Sequence, residues 1–341
     1  MRVSLVLIKS FTNPPIDVEA RGWKGRTALH HAARYGHVNV AKILLEKSDI
    51  EARDTSMFKY TALHLAAKYG HVEVTRLLMN SEGVDVNARD EFKYTVLHYA
   101  AENGDLELAR ILMDSEKVDV KAKRYGMTAL HLAAESGSLE VVKLWMNTEK
   151  FDFNERDMYG RTALHRAAGK GKLEMVRLLM YSDKVDVNAK DVSEDTPFHS
   201  AAQAGWLDVA RLFMDWEKVD VKARDKFGAT ALHLAAAYNR PSVVRLLIDS
   251  GKFDVNDEDW GGDTALHCAA ALSASNVVSL LINSGADITM KNNEGETALD
   301  LALKRNSDPE VVQVLEDAAA NDENDACLNL QEYVMAKVDE M

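Results

Sequence analysis

Only two cysteines, Cys268 and Cys327, occur in 341 residues, too few for a disulfide scaffold or a thiolate metal cage. That scarcity points to a reducing, intracellular compartment, cytoplasmic or nuclear. Positive charge is also short. The chain has 41 Lys and Arg against 54 Asp and Glu, a formal net charge of −13, which argues against a general nucleic-acid binder with a basic footprint. No run approaches the roughly 18 apolar residues of a membrane span. The mostly apolar stretch Val3–Ile8 is ended by Lys9 and followed by no small-residue cleavage site, so it is not expected to act as a signal peptide. No Gly-rich phosphate loop precedes a Lys, and neither His-Glu-x-x-His nor Gly-x-Ser-x-Gly appears. The chain is therefore expected to be no enzyme, with no cofactor, metal or small-molecule substrate. Its 47% hydrophobic content can still bury a large core, which excludes disorder of the whole chain.

What is present is a repeat. Copies of Thr-Ala-Leu-His begin at Thr27, Thr61, Thr95, Thr128, Thr162, Thr196, Thr230, Thr264 and Thr297, at steps of 33 or 34 residues. This periodicity replaces the two ordinary domains that length alone suggests. A second marker runs in step. Gly36, Gly70, Gly104, Gly137, Gly171 and Gly205 each fall nine residues after the Thr, and Asn239, Ser273 and Asn306 hold that place in the last three units. Gly and Asn enter positive φ most easily, so this position predicts a left-handed helix end. A short helix is thus expected from each Thr, its N-cap, to each Gly. A second amphipathic segment follows, such as Val72–Met79. The unit closes with a β-branched Val-Asp-Val-Asn-Ala stretch, expected to be extended, and a turn such as Asp157–Gly160.

This helix–turn–helix unit with a hairpin loop resembles the ankyrin repeat over roughly nine-tenths of the chain. The resemblance implies an α-solenoid of about nine stacked repeats over residues 16–319. Residues 1–15 are expected to be a truncated N-terminal repeat or cap, and 320–341 an acidic tail in which Leu330, Val334 and Val338 share one side of an amphipathic helix. Several positions depart from the family pattern. Ala replaces the usual Pro after Thr in seven repeats and Val96 in one, and only Pro197 keeps it. Lys59, Lys93 and Glu194 stand where a hairpin Gly is usual, so those turns are expected to be less regular. In the last repeat Asp300 replaces the His, as in terminal ankyrin repeats, where no following neighbour needs it. Asp308-Pro309-Glu310 then reads as the start of another helix.

Two ladders invite a chemical reading. Eight histidines (His30, His64, His98, His131, His165, His199, His233 and His267) occupy the fourth place of the repeat string. Catalysis and metal binding need convergence on one point, whereas one His per layer fits hydrogen bonds that link adjacent hairpins. Cys268 follows His267 but takes a position held elsewhere by Leu, so it is expected to pack rather than react. The second ladder is Lys42, Arg76, Arg110, Lys143, Arg177, Arg211 and Arg245. Glu73, Glu107, Glu140, Glu174 and Asp208 lie three residues upstream of five of them, a spacing that neutralises the stripe by local pairing.

In ankyrin repeats partners usually bind the concave face, made of hairpin tips and the exposed ends of first helices. The matching positions in the first three repeats are Trp23, Lys24, Arg26, Arg34, Tyr35, Phe58, Lys59, Tyr60, Lys68, Tyr69, Phe92, Lys93 and Tyr94. The later repeats add Tyr125, Tyr159, Phe227, Tyr238 and Trp260. Aromatic and basic side chains there suit binding hot spots, although a ring before the hairpin Gly also packs sideways on its neighbour. The resemblance implies a monomeric, non-enzymatic scaffold that captures a protein with an acidic or acidic–apolar segment, without membrane or nucleic acid. One rival, motivated by the mid-repeat start at Met1, is a substrate-targeting arm of a larger signalling or ubiquitin-ligase protein. Another is nucleic-acid binding by the basic first repeats.

Overall fold

The computed structural model describes residues 17–321, so the expected cap at 1–15 and nearly all of the tail, with Leu330, Val334, Val338 and Cys327, lie outside the described residues. The chain falls into two compact units, Met1–Met158 and Tyr159–Met341. The first contains four helix pairs: α1 (Ala28–Arg34) and α2 (Val38–Leu44), α3 (Ala62–Lys68) and α4 (Val72–Met79), α5 (Val96–Asn103) and α6 (Leu106–Met113), α7 (Ala129–Ser136) and α8 (Leu139–Met146). The second contains α9 (Ala163–Gly169) and α10 (Leu173–Met180), α11 (Pro197–Ala204) and α12 (Leu207–Met214), α13 (Ala231–Ala237) and α14 (Pro241–Asp249), α15 (Ala265–Ala271) and α16 (Ser275–Asn283), and α17 (Ala298–Lys304). Helical residues 309–321 follow α17, and the Glu310 N–H donates to the Asp308 carboxylate as that sequence predicts.

Thr is the N-cap of every odd-numbered helix, and in each the residue three places on completes a capping box. At the other end the chain must reverse within two residues. Every residue nine places after the Thr has positive φ, from 51° at Asn306 to 86° at Gly205, including Ser273 at 59°. Within each unit odd helices pack on the next odd helix and even on even. The Ala pairs make this close approach possible: Ala66, Ala67, Ala100, Ala101, Ala201, Ala202, Ala235 and Ala236 are wholly buried. Leu and Val of the even helices, such as Leu78, Leu108, Leu112, Val176 and Leu179, fill the space beneath, each buried side chain contributing about 2 kcal/mol.

The hairpin expectation needs correction. The Val-Asp-Val-Asn-Ala segments run as turns, and among the described residues only the isolated bridges Arg124–Met127 and Glu258–Thr264 have β pairing. A backbone bond closes most of these loops, such as the Asp225 N–H on Ala229 C=O, and side chains take the others a ladder would use. Asp225 Oδ1 accepts from the Phe227 and Ala229 N–H groups, and Asp191 and Asp259 repeat the arrangement. The motif Asn joins neighbouring repeats within a unit: the Asn87 and Asn188 amides donate to Lys117 and Lys218 carbonyls and accept from Asp119 and Asp220 N–H groups.

The turns at Lys93 and Glu194 are not irregular, contrary to expectation, whereas the turn at Lys59 is two residues longer, closed by the Asp54 N–H on Tyr60 C=O. The φ values of Lys59, Lys93 and Glu194, 50°, 66° and 62°, match the left-handed conformation of Gly126, Gly160 and Gly228 in the same place. Several tips are held by a neighbour, the Glu91 N–H donating to Phe58 C=O and the Trp260 N–H to Phe227 C=O. Glycine is indispensable where the next tip comes closest: a Cβ on Gly126 would stand 2.2 Å from the Met158 nitrogen.

Candidate functional site

The histidine ladder is structural. In His30, His64, His98, His199, His233 and His267, Nδ1 accepts from the N–H of its own Thr at 3.1–3.3 Å. The proton therefore sits on Nε2. From there His30 donates to Tyr60 C=O, His64 to Ala88 and Tyr94 C=O, His233 to Asp257 and Asp263 C=O, and His267 to Glu296 C=O. Burial disfavours the charged ring: it lowers His30, His64 and His233, and takes His98 and His199 down to about 4. Asp300 performs only the local half of this work, accepting from Thr297 N–H and Oγ1–H. His267 spends both ring nitrogens on oxygen and backbone partners, and burial pushes the Cys268 thiol up, so the two form no thiolate pair. Of the other histidines, His71 bonds Arg34 C=O through Nε2, and His37 is exposed. Among the described residues no group of three or more His, Cys, Asp or Glu could hold a metal.

The basic ladder is paired as its spacing implies at Glu73–Arg76, Glu140–Lys143 and Glu174–Arg177, while Glu107 meets Arg76 of the preceding repeat.

The tip residues divide sharply by exposure. Trp23, Lys24, Tyr35, Tyr69, Tyr125, Tyr159, Phe227, Tyr238 and Trp260 are exposed. Arg26 and Tyr60 are not, at 4% and 3%, so neither offers a partner the open surface expected of it. Arg26 is withdrawn by the buried Asp54, 3.0 Å away. Burial of Asp54 opposes ionisation, but hydrogen bonds from Ser56, Arg26 and the Tyr60 N–H outweigh it and hold the carboxyl below its usual range. Phe58, Phe92 and Tyr94 are half-buried because they stack sideways: Phe58 on Tyr60 and Phe92 (centroids 5.0 and 5.2 Å), Tyr94 on Tyr99 (4.9 Å). The aromatic enrichment of the first three repeats is thus largely internal packing, and exposed rings occur in both units. Counting aromatics missed the exposed Met57, Met158 and Val192, which lie on the tips, and Leu272 at a first-helix end. Their signal was register, not residue type.

Exposed rings carry cations. Lys24 lies 4.2 Å from the Trp23 centroid, Arg34 4.8 Å from Tyr69 and 5.6 Å from Tyr35, and Lys226 4.9 Å from Phe227. Half-buried and buried rings together form a cleft of about 240 Å³ in the first unit. Its walls are Phe58, Tyr60, Phe92, Tyr94 and Tyr99. Lys68, at the end of α3, stands 5.0–5.5 Å from Phe58, Tyr60 and Tyr99, and Arg124 4.4 Å from Tyr94. Asp90 and Glu102 also border it, but Asp90 accepts from Tyr99 Oη–H and Tyr94 N–H, and Glu102 from Tyr94 Oη–H. Burial, then Glu102, pushes the Tyr94 phenol up to about 12, and burial with Asp90 raises Tyr99 further, so both remain protonated donors.

A family model described as ankyrin repeats (3 copies) matches residues 4–90, 47–124, 97–191, 133–221, 184–259 and 252–325. The chain belongs to the ankyrin repeat family. No curated protein matches it. Ankyrin repeats generally mediate protein–protein interaction. No helix among the described residues is long and apolar enough to cross a membrane.

Proposed function

We propose that this ankyrin array is a non-enzymatic scaffold that captures a protein partner on the face made by loop tips and first-helix ends. The observation that carries this reading is the pairing of exposed rings with cations that no carboxylate claims among the described residues: Trp23 with Lys24, and Tyr35 and Tyr69 with Arg34. A ring supplies contact area at low entropic cost and the cation directional charge, a combination typical of hot spots. The matching partner is an acidic or acidic–apolar segment. These residues lie away from the buried Ala and His rows, so removing the rings leaves packing intact.

The test starts with affinity capture by the full chain from native lysate and mass spectrometry, followed by titration of the purified partner. The triple variant Trp23→Ala, Tyr35→Ala, Tyr69→Ala is expected to bind at least about tenfold more weakly, with each surface change moving stability by only about 0.5 kcal/mol. Equal affinity would remove the site assignment.

A further inference from the structure

The aromatic cleft in the first unit holds two cationic hydrogen-bond donors that its own residues leave without an acidic partner. Lys68 meets rings on three sides but, among the described residues, no carboxylate lies within ion-pair distance of its ammonium. Arg124 covers Tyr94 with its guanidinium, and its buried Nε–H has no acceptor. A buried donor without an acceptor is unfavourable, and the loss is recovered only when an acceptor enters. Both acids at the cleft already accept from tyrosine hydroxyls. A second cation would meet Lys68 and Arg124 over the rings it needs, so the charge pattern favours an anion.

We propose that this cleft is an anchor pocket for a glutamate or aspartate of a partner peptide, its carboxylate received by Lys68 and Arg124 while an adjacent aromatic or aliphatic side chain packs on Phe58 and Phe92. The volume of about 240 Å³ accommodates such an anchor but not a drug-sized ligand, for which clefts are roughly 300–1,000 Å³. A charge-assisted hydrogen bond made inside an aromatic enclosure gains over one made in water, because the competing solvent is excluded. The proposal rests on the reading of this face as protein-binding and names the chemistry it selects.

The test uses the full chain and end-blocked tetrapeptides glycyl-glutamyl-phenylalanyl-glycine, its glutamine and lysine counterparts, and free 3-phenylpropionate, followed by calorimetry and by the Arg124 Nε–H resonance. That resonance is assigned by its loss in Arg124→Gln. The glutamyl peptide is expected to bind and shift the resonance, and the glutaminyl peptide to bind at least about tenfold more weakly. Lys68→Gln and Arg124→Gln are expected to weaken the glutamyl peptide by about tenfold each, with unchanged circular dichroism. Equal or tighter binding of the lysyl peptide would make the cleft a cation site and overturn the proposal. Tighter binding of 3-phenylpropionate would make it a small-molecule site and overturn it too. An unmoved Arg124 resonance at saturating peptide defeats it without any variant. Loss of partner capture in the tip triple variant with no binding of the glutamyl peptide removes the pocket alone. Peptide binding with capture unaffected by the triple variant removes only the tip assignment.

Discussion

At the scale of the residue, backbone conformation is imposed by position more than by residue type. The place two residues before each Thr adopts positive φ whether it holds Gly, Lys or Glu. Sequence reading located Lys59, Lys93 and Glu194 as exceptions but expected irregular turns at all three, because one residue's propensity is visible in the chain while a neighbouring tip's hydrogen bond is not. The Glu91 N–H to Phe58 C=O bond ties that tip to its neighbour, and the strain of a Cβ in the left-handed region is carried at Lys59 and Lys93 instead. That strain is removable. Lys93, exposed and at φ 66°, is replaced by glycine in the variant Lys93→Gly, which is expected to stabilise the protein by about 1 kcal/mol. Urea denaturation checks it: the midpoint should rise without a change in slope. The same scale explains why Arg26 and Tyr60 are buried at positions where register predicts surface. Their concealment depends on Asp54 and Phe58, contributed by the following repeat or by lateral packing, and no local pattern announces it.

At the scale of the element, the helices were legible and the hairpins were not. A Thr followed by an Ala pair and a left-handed position nine residues on marks a helix by physical necessity: a cap at one end, a reversal at the other, small side chains between. The loop segment carries β-branched residues that favour extension, yet its Asp and Asn side chains satisfy the backbone groups that would otherwise form a ladder. Thr has a larger task than capping. In α5, Thr95 Oγ1 lies 2.9 Å from His98 Nδ1 and so fixes the ring whose Nε2 reaches Met127 C=O in the next repeat. Thr95→Ala is therefore expected to cost about 2 kcal/mol, at the upper end for an N-cap, because it also loosens an inter-repeat bond. Thr95→Ser should recover most of the loss in the same urea titration. A cost confined to helix fraying, with the His98 Nε2–H still slowly exchanging, would separate the two roles of Thr95.

At the scale of the whole molecule, the buried histidines couple stability to pH in both units. In the folded chain burial lowers the pKa of His30, His64, His98, His199 and His233 from an ordinary value near 6.5. Unfolding releases each to that ordinary value, so the unfolded state binds more protons below it, and stability falls as pH falls. The loss begins near pH 6.5 and continues to about pH 4, where His98 and His199 titrate in the folded state. His98 alone accounts for on the order of 3 kcal/mol at pH 4. Asp195 has the opposite sign. Burial, with Asp191 and Asp225 nearby, raises it to about 7, so its protonation stabilises the fold as pH falls through that value. Two carboxyls oppose five rings, Glu51 also being raised by burial, and the histidines prevail. The urea midpoint is expected to rise slightly or hold from pH 8 to about 6.5 and then drop steeply toward pH 4.5. His98→Asn supplies the control: it loses stability at pH 7, where the His98 bonds are made, but its midpoint falls less between pH 6.5 and 4.5 than that of the parent. An equal fall in both would mean that the acid sensitivity arises elsewhere than in the ladder.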